Sequence, residues 1–199
     1  MHYPEYDPAC RHLSAADYER VCAVAADVVT LYGGGGPPFP ITELFRLLEP
    51  ATEIVGPSGD PREVGVYGYT APIDFAVHQK HARLFLDTTA PPEQVFVTAF
   101  HEGGHVLLHI MRDRALGALP LRRAAARRPD LQQAEVEADL FARLTMMPAP
   151  WVRARWPGAC RGADGPRQAV ARMAAQFGVP QPWMAERLEA LGLLARRAP

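Results

Sequence analysis

The chain reads as an α+β protein, with a short sheet in its first half, two long helices flanking a basic stretch, and a helical hairpin near its C-terminal end. Three observations carry that reading. Apolar residues recur at helical spacing over residues 93–111 and 131–147, β-type patterning fills much of 64–88, and two helix-like stretches flank Gly178-Val179-Pro180. With 199 residues, 48% apolar and 22% charged, the chain suits one sizeable core with a small appendage. We expect that core at 1–148 and the appendage at 149–199.

The first element is a helix. Ser14 with Asp17 resembles a capping box, and Tyr18, Val21, Cys22, Ala25, Val28, Val29 and Tyr32 follow at helical spacing. Gly33 to Gly36 with Pro37 and Pro38 end it; no lysine and hydroxyl residue follow the glycines, so they form a linker rather than a phosphate loop. A short helix fits Thr42 to Leu48, with Leu44, Leu47 and Leu48 turned inward. Strands are then expected at 64–70, at Phe75–Val77 and at Ala82–Thr88. If Leu84 and Leu86 face the core, the last of these either offers an edge to an extended peptide or is an ordinary covered strand.

Pro91-Pro92-Glu93 then opens the segment EQVFVTAFHEGGHVLLHIM, which carries His101-Glu102-Gly103-Gly104-His105, the HExxH pattern of zinc peptidases. Residues four apart on an α-helix lie one above the other, so both imidazoles can meet one cation. Glu102, about 100° further round, can reach a water beside that cation without being a ligand. His109 continues the row, but about 12 Å of helix separates it from His101, so it cannot share the same ion. We read it as a hydrogen-bonded helix residue. His78, His81, Tyr67 and Tyr69 lie near the strands and are read as surface or packing residues before oxyanion donors.

A third ligand is expected from the next helix, LQQAEVEADLFARLTMM, which Pro129-Asp130 opens and Pro148 ends. Glu135 and Asp139 share a face there, beside the stripe Leu131, Ala134, Ala138, Phe141, Ala142 and Thr145; Glu137 is about 200° round from Glu135 and points elsewhere. Glu135 is the better ligand, with Asp139 near enough to hydrogen-bond a ligand instead of being one. The competing reading makes both carboxylates solvent-facing helix charges. A His, His, Glu set leaves a coordination position for water, the arrangement of a catalytic rather than a structural zinc.

Composition narrows the function classes. Residues 1–100 carry a net charge of −7 and residues 101–199 one of +6, so the halves should attract each other. The arginines at 112, 114, 122, 123, 127 and 128 are read as a solvated loop before an acidic-partner or nucleic-acid surface. Cys10, Cys22 and Cys160 form no close pair, which argues against disulfide and thiolate-zinc frameworks and suggests small buried residues. The N-terminal MHYPEYDPAC lacks a signal-peptide pattern and no apolar run approaches the roughly 20 residues of a membrane span, so a cytoplasmic protein is expected.

Together, the strands near Gly65, the TAFHEGGHVLLH segment and AEVEADLFARLTMMP resemble the ImmA/IrrE family of bacterial metallopeptidases. The resemblance implies a small zincin-like metallopeptidase fold in which Met147-Pro148 closes the helix of the third ligand. It further implies that His101, His105 and Glu135 hold Zn2+, that Glu102 is the general base and that Asp139 orients His101. Substrates in this family are commonly repressor or regulator proteins. One departure stands out: a large apolar residue usually follows the glutamate, where this chain has Gly103 beside Gly104. Each glycine weakens a helix by about 1 kcal/mol relative to alanine. The C-terminal hairpin resembles the family's helix-turn-helix-like end, but Glu186 and Glu189 against the single Arg187 suit phosphate contact poorly, and packing is favoured over DNA binding.

The function expected is therefore that of a zinc endopeptidase acting on a regulatory protein. Its main rival is a zinc-stabilised regulator that binds a transcription factor or DNA without cutting anything.

Overall fold

The computed structural model describes residues 13–32, 35–49, 52–55, 67–73, 78, 80–111 and 129–195. Among these residues there are seven α-helices and a three-stranded sheet. They are α1 (Ala15–Leu31), α2 (Ile41–Leu48), α3 (Pro92–His105), α4 (Pro129–Met146), α5 (Ala149–Cys160), α6 (Pro166–Phe177) and α7 (Gln181–Ala190), with strands β1 (Thr52–Val55), β2 (Gly68–Pro72) and β3 (Ala82–Leu86).

Ser14 caps α1 as its sequence suggests, its hydroxyl accepting from the Asp17 amide at 3.2 Å. Tyr18, Val21, Ala25 and Val28 are the buried stripe that follows. On α2 the inward residues are Leu44 and Leu48, whereas Leu47 is half-buried. Tyr32 at the end of α1 stacks obliquely on Phe39 at 4.6 Å, and Phe39 meets Phe100 edge-on at 5.5 Å. That aromatic row fixes the helix position immediately before His101.

The sheet differs from expectation in membership and order. β1 has no counterpart in the sequence reading, the expected strand at 75–77 lies outside the described residues, and the order is β1-β3-β2. β1 runs parallel to β3 and β2 antiparallel to it. The idea that β3 offers an edge to a peptide is therefore overturned: β3 is central and both its edges are paired. It is central because its two faces suit its neighbours. Ala82, Leu84 and Leu86 are buried beneath it, while on the other face Arg83 forms two hydrogen bonds to its register partner Glu53, at 2.8 and 2.7 Å, and Phe85 stacks on its partner Tyr69 at 4.3 Å.

Two further expectations are corrected. The helical rise of α3 does not continue as an α-helix to Met111; it widens into a π-turn over Val106–Ile110, with the Met111 amide bonded to the Val106 carbonyl at 2.9 Å. α5 contains both Pro150 and Pro157; Pro150 sits in its first turn, where no intrahelical amide is required. Finally, Cys22 is half-buried and Cys160 exposed, so neither fills the fully buried role and neither is in a disulfide; Cys10 lies outside the described residues.

Gly178 ends α6 in the left-handed conformation (φ 66°), and the Val179 amide reaches back to Ala174 at 3.0 Å, a Schellman closure that turns the chain into α7. Met173, Phe177, Met184 and Leu188 from this hairpin join the same apolar core as Phe100, Phe141 and Met147. Arg187 is buried and donates from Nε to the Met147 carbonyl at 3.1 Å.

Candidate metal centre

Two helices build the site. α3 rests on the sheet through Thr70, whose hydroxyl donates to the Glu102 carbonyl at 3.3 Å, and through Gly68, where a Cβ would lie 2.6 Å from the Thr98 methyl. α4 crosses α3 at Gly104. A Cβ there would meet the Ala138 Cα and the Phe141 ring at 3.1 Å, so the missing side chain is what lets the two backbones come close. Gly103 turns the other way, toward the Leu44 and Leu48 side chains of α2, which occupy the space where a large residue would stand. Both glycines of the motif thus sit in packed surroundings.

The close crossing brings the expected ligand residues together. His101 Nε2 and His105 Nε2 are 3.1 Å apart; Glu135 Oε2 lies 3.2 Å from the first and Oε1 lies 3.3 Å from the second. Among the described residues these three form a cluster able to hold a metal ion. Zinc ligands at about 2.0–2.1 Å in tetrahedral array are themselves roughly 3.3–3.4 Å apart, so the spacing fits a single ion with little adjustment. His105 is fully buried and His101 nearly so, whereas the Glu135 side chain is 24% and the Asp139 side chain 54% exposed. The cluster is closed at its base and opens along the Glu135 and Asp139 face.

Asp139 is not in the cluster. Its carboxylate accepts from His101 Nδ1 at 2.7 Å, which turns the His101 Nε2 edge toward Glu135 and His105. Glu102 is buried on the same turn of α3 as His101.

The electrostatics favour positive charge at this point. Burial alone would lower the pKa of His101, but the Asp139 and Glu135 carboxylates beside its ring nitrogens, which accept hydrogen bonds, and the charges of Glu102 and Asp139 raise it to about 10. Burial would likewise raise the Glu135 carboxyl, yet the two imidazoles that face it hold it well below the usual carboxylate range.

Glu137 points away from the cluster, as its helical phase requires, but not to solvent. It is 2% exposed and takes hydrogen bonds from Arg20 of α1 at 2.7 Å, His109 Nε2 at 2.9 Å and Gln133 at 2.9 Å. These contacts outweigh its burial and hold its carboxyl down at about 2, while burial chiefly depresses the His109 imidazole. His109 is thus a hydrogen-bonded helix residue. Sequence reasoning did not connect Arg20 or Glu137 with the site; the one available signal was a glutamate on an apolar side of its helix.

Tyr69 packs on Phe85, and the His78 side chain is exposed. The arginine-rich stretch of 112–128 lies outside the described residues.

A short sheet beneath a helix bearing HExxH, crossed by a second helix bearing glutamate, defines a metallopeptidase-type architecture. Residues 66–189 match the family model of the IrrE N-terminal-like domain, peptidase family M78, which covers more than half of the chain. The protein therefore belongs to that metallopeptidase family. Comparison with curated protein sequences finds no match. No helix among the described residues is long and apolar enough to cross a membrane.

Proposed function

We propose that the protein is a zinc-dependent endopeptidase that cuts a regulatory protein, a repressor or transcription factor, in the cytoplasm. One observation carries the catalytic part: His101 Nε2, His105 Nε2 and the Glu135 carboxylate converge at 3.1–3.3 Å, at the mutual spacing of zinc ligands, with Glu102 on the same helical turn. These three residues would hold the ion, and zinc bound there would supply polarisation of a carbonyl and a water whose pKa falls from 15.7 to about 7.

The remaining chemistry belongs to the chain. Glu102 is the general base, taking the proton of the attacking water and delivering it to the leaving amine. Its backbone is held by Thr70 and its side chain is shielded from bulk water, so the carboxylate has a fixed place from which to act. Asp139 keeps the His101 ring oriented. The open Glu135 and Asp139 face is where a peptide can approach.

A regulatory substrate follows from family resemblance. The rival reading, binding to DNA without cleavage, draws less support: Arg187, the basic residue of α7, is buried against Met147, and Arg143 is engaged with Glu186 and the Trp183 ring.

The test combines metal analysis with profiling of protein N-termini in cells. One zinc per chain is expected for the wild type and for Glu102→Gln, and none for His101→Ala or Glu135→Ala. New N-termini should appear with the wild type and be absent with Glu102→Gln. Equal cleavage by Glu102→Gln would overturn the mechanism, and unchanged zinc in Glu135→Ala would move the third ligand elsewhere, with Asp139 and Glu137 the next residues to replace.

A further inference from the structure

His109 and Glu137 are 4% and 2% exposed, and neither belongs to the three-residue cluster. Buried groups of this kind are costly unless every polar atom is matched, so their hydrogen bonds can be read as a directed chain. Glu137 Oε2 faces Arg20 Nη2 at 2.7 Å and His109 Nε2 at 2.9 Å, and Oε1 faces Gln133 Nε2 at 2.9 Å. A guanidinium and an amide nitrogen can only donate, which leaves the carboxylate as acceptor throughout. His109 must therefore carry hydrogen on Nε2.

The other side of that ring settles the next link. His109 Nδ1 is 3.2 Å from His105 Nδ1. Two ring nitrogens at this distance attract only when one hydrogen lies between them. His105 Nε2 faces His101 and Glu135 in the cluster, and a ring nitrogen that is to bind a metal carries no hydrogen, so the hydrogen of a neutral His105 belongs to Nδ1 and His109 Nδ1 accepts it. His105 Nε2 is then a bare lone pair, 3.1 Å from His101 Nε2 and 3.3 Å from Glu135 Oε1.

We propose that Arg20, Glu137 and His109 form a relay that fixes His105 in the Nδ1–H tautomer, leaving its Nε2 free for the metal. The relay does for His105 what Asp139 does for His101, but from within the core. It rests on the metal-centre reading above and adds positioning residues to it. Two features of this chain make the relay. The π-turn at Val106–Ile110 carries His109 to within 3.2 Å of His105, and α1 brings in Arg20 from outside residues 66–189, the part matched by the family model. Asp17, itself bonded to the capping Ser14, lies 3.5 Å from the same Arg20 nitrogen. The relay therefore begins at the first turn of α1.

Loss of a partner that orients a ligand histidine costs about 10–100-fold in metal affinity. The experiment uses the full chain and two readouts. Long-range proton–nitrogen spectra of the metal-free protein give the tautomers directly: His105 is expected to be protonated on Nδ1 and His109 on Nε2. Zinc competition with a chromophoric chelator then compares the wild type with His109→Phe, His109→Gln, Arg20→Met and His105→Ala. His109→Phe should bind zinc about 10–100-fold more weakly, and His109→Gln, whose amide can accept from His105 and donate to Glu137, should recover most of that loss. Arg20→Met should weaken zinc in the same direction, and His105→Ala should abolish binding.

A doubly protonated His109, or a hydrogen on His105 Nε2, overturns the relay. So does wild-type affinity in His109→Phe while His105→Ala fails to bind. Should the wild type bind no zinc, the metal-centre reading falls and the tautomers alone decide the relay. If His109→Phe does not fold, the tautomers together with His109→Gln and Arg20→Met decide it.

Discussion

Asp139 is 54% exposed at its side chain, yet its carboxylate lies 2.7 Å from His101 Nδ1. Solvent competes for such a group, so Asp139→Asn, which retains an acceptor oxygen, should lower zinc affinity only severalfold, and Asp139→Ala by about tenfold, the low end for such partners. Chelator competition measures both. Thr70 is a different kind of contact, buried and bonded to the Glu102 carbonyl. Thr70→Val keeps the shape and loses one hydrogen bond, which should cost about 1 kcal/mol in denaturant unfolding, with metal content unchanged. A much larger loss would show that the β2 contact with α3 depends on this hydroxyl.

At the scale of elements, the paired glycines act in opposite directions. At Gly103 an added methyl meets only the flexible ends of Leu44 and Leu48 at 3.3–3.4 Å, so Gly103→Ala should be tolerated and should gain up to about 1 kcal/mol of helix stability. At Gly104 the same methyl meets the backbone of Ala138 at 3.1 Å, which cannot yield without moving α4. Gly104→Ala should destabilise by about 1–3 kcal/mol and weaken zinc binding by drawing Glu135 away from the histidines. Thermal unfolding and zinc titration of the two variants separate helix propensity from helix approach. Equal behaviour of the two would remove close approach as the reason for Gly104.

For the molecule as a whole, the centre ties together helices that are far apart in the chain, and a bound ion should act on global stability. At zinc concentrations about 100-fold above Kd, binding to the folded state contributes about 2.7 kcal/mol, which for a chain of this size shifts Tm by roughly 5–11 °C. Chelation should reverse that shift in the wild type and leave Tm of His101→Ala unmoved, as calorimetry can show. The charge asymmetry of the halves, −7 and +6, does not determine how they join at the site. A part-buried ion pair between them, Arg20 with Glu137, runs against it, a base from the acidic half meeting an acid from the basic half.

The sequence by itself determined whatever depends on short-range periodicity. The capped start of α1, the proline-led start of α3, the shared face of His101 and His105, and the phase of Glu135, Glu137 and Asp139 on α4 all follow from about 3.6 residues per turn. β1 and the central place of β3 were not legible, because pairing order depends on partners distant in sequence. Nor was the use made of Gly104, whose missing side chain matters only once Ala138 lies against it. Tertiary structure alone decided that His109 meets His105, that Glu137 is buried, and that Arg20 reaches it from 117 residues away. Local spacing fixes which way a side chain points along its own element; only packing decides what stands opposite it.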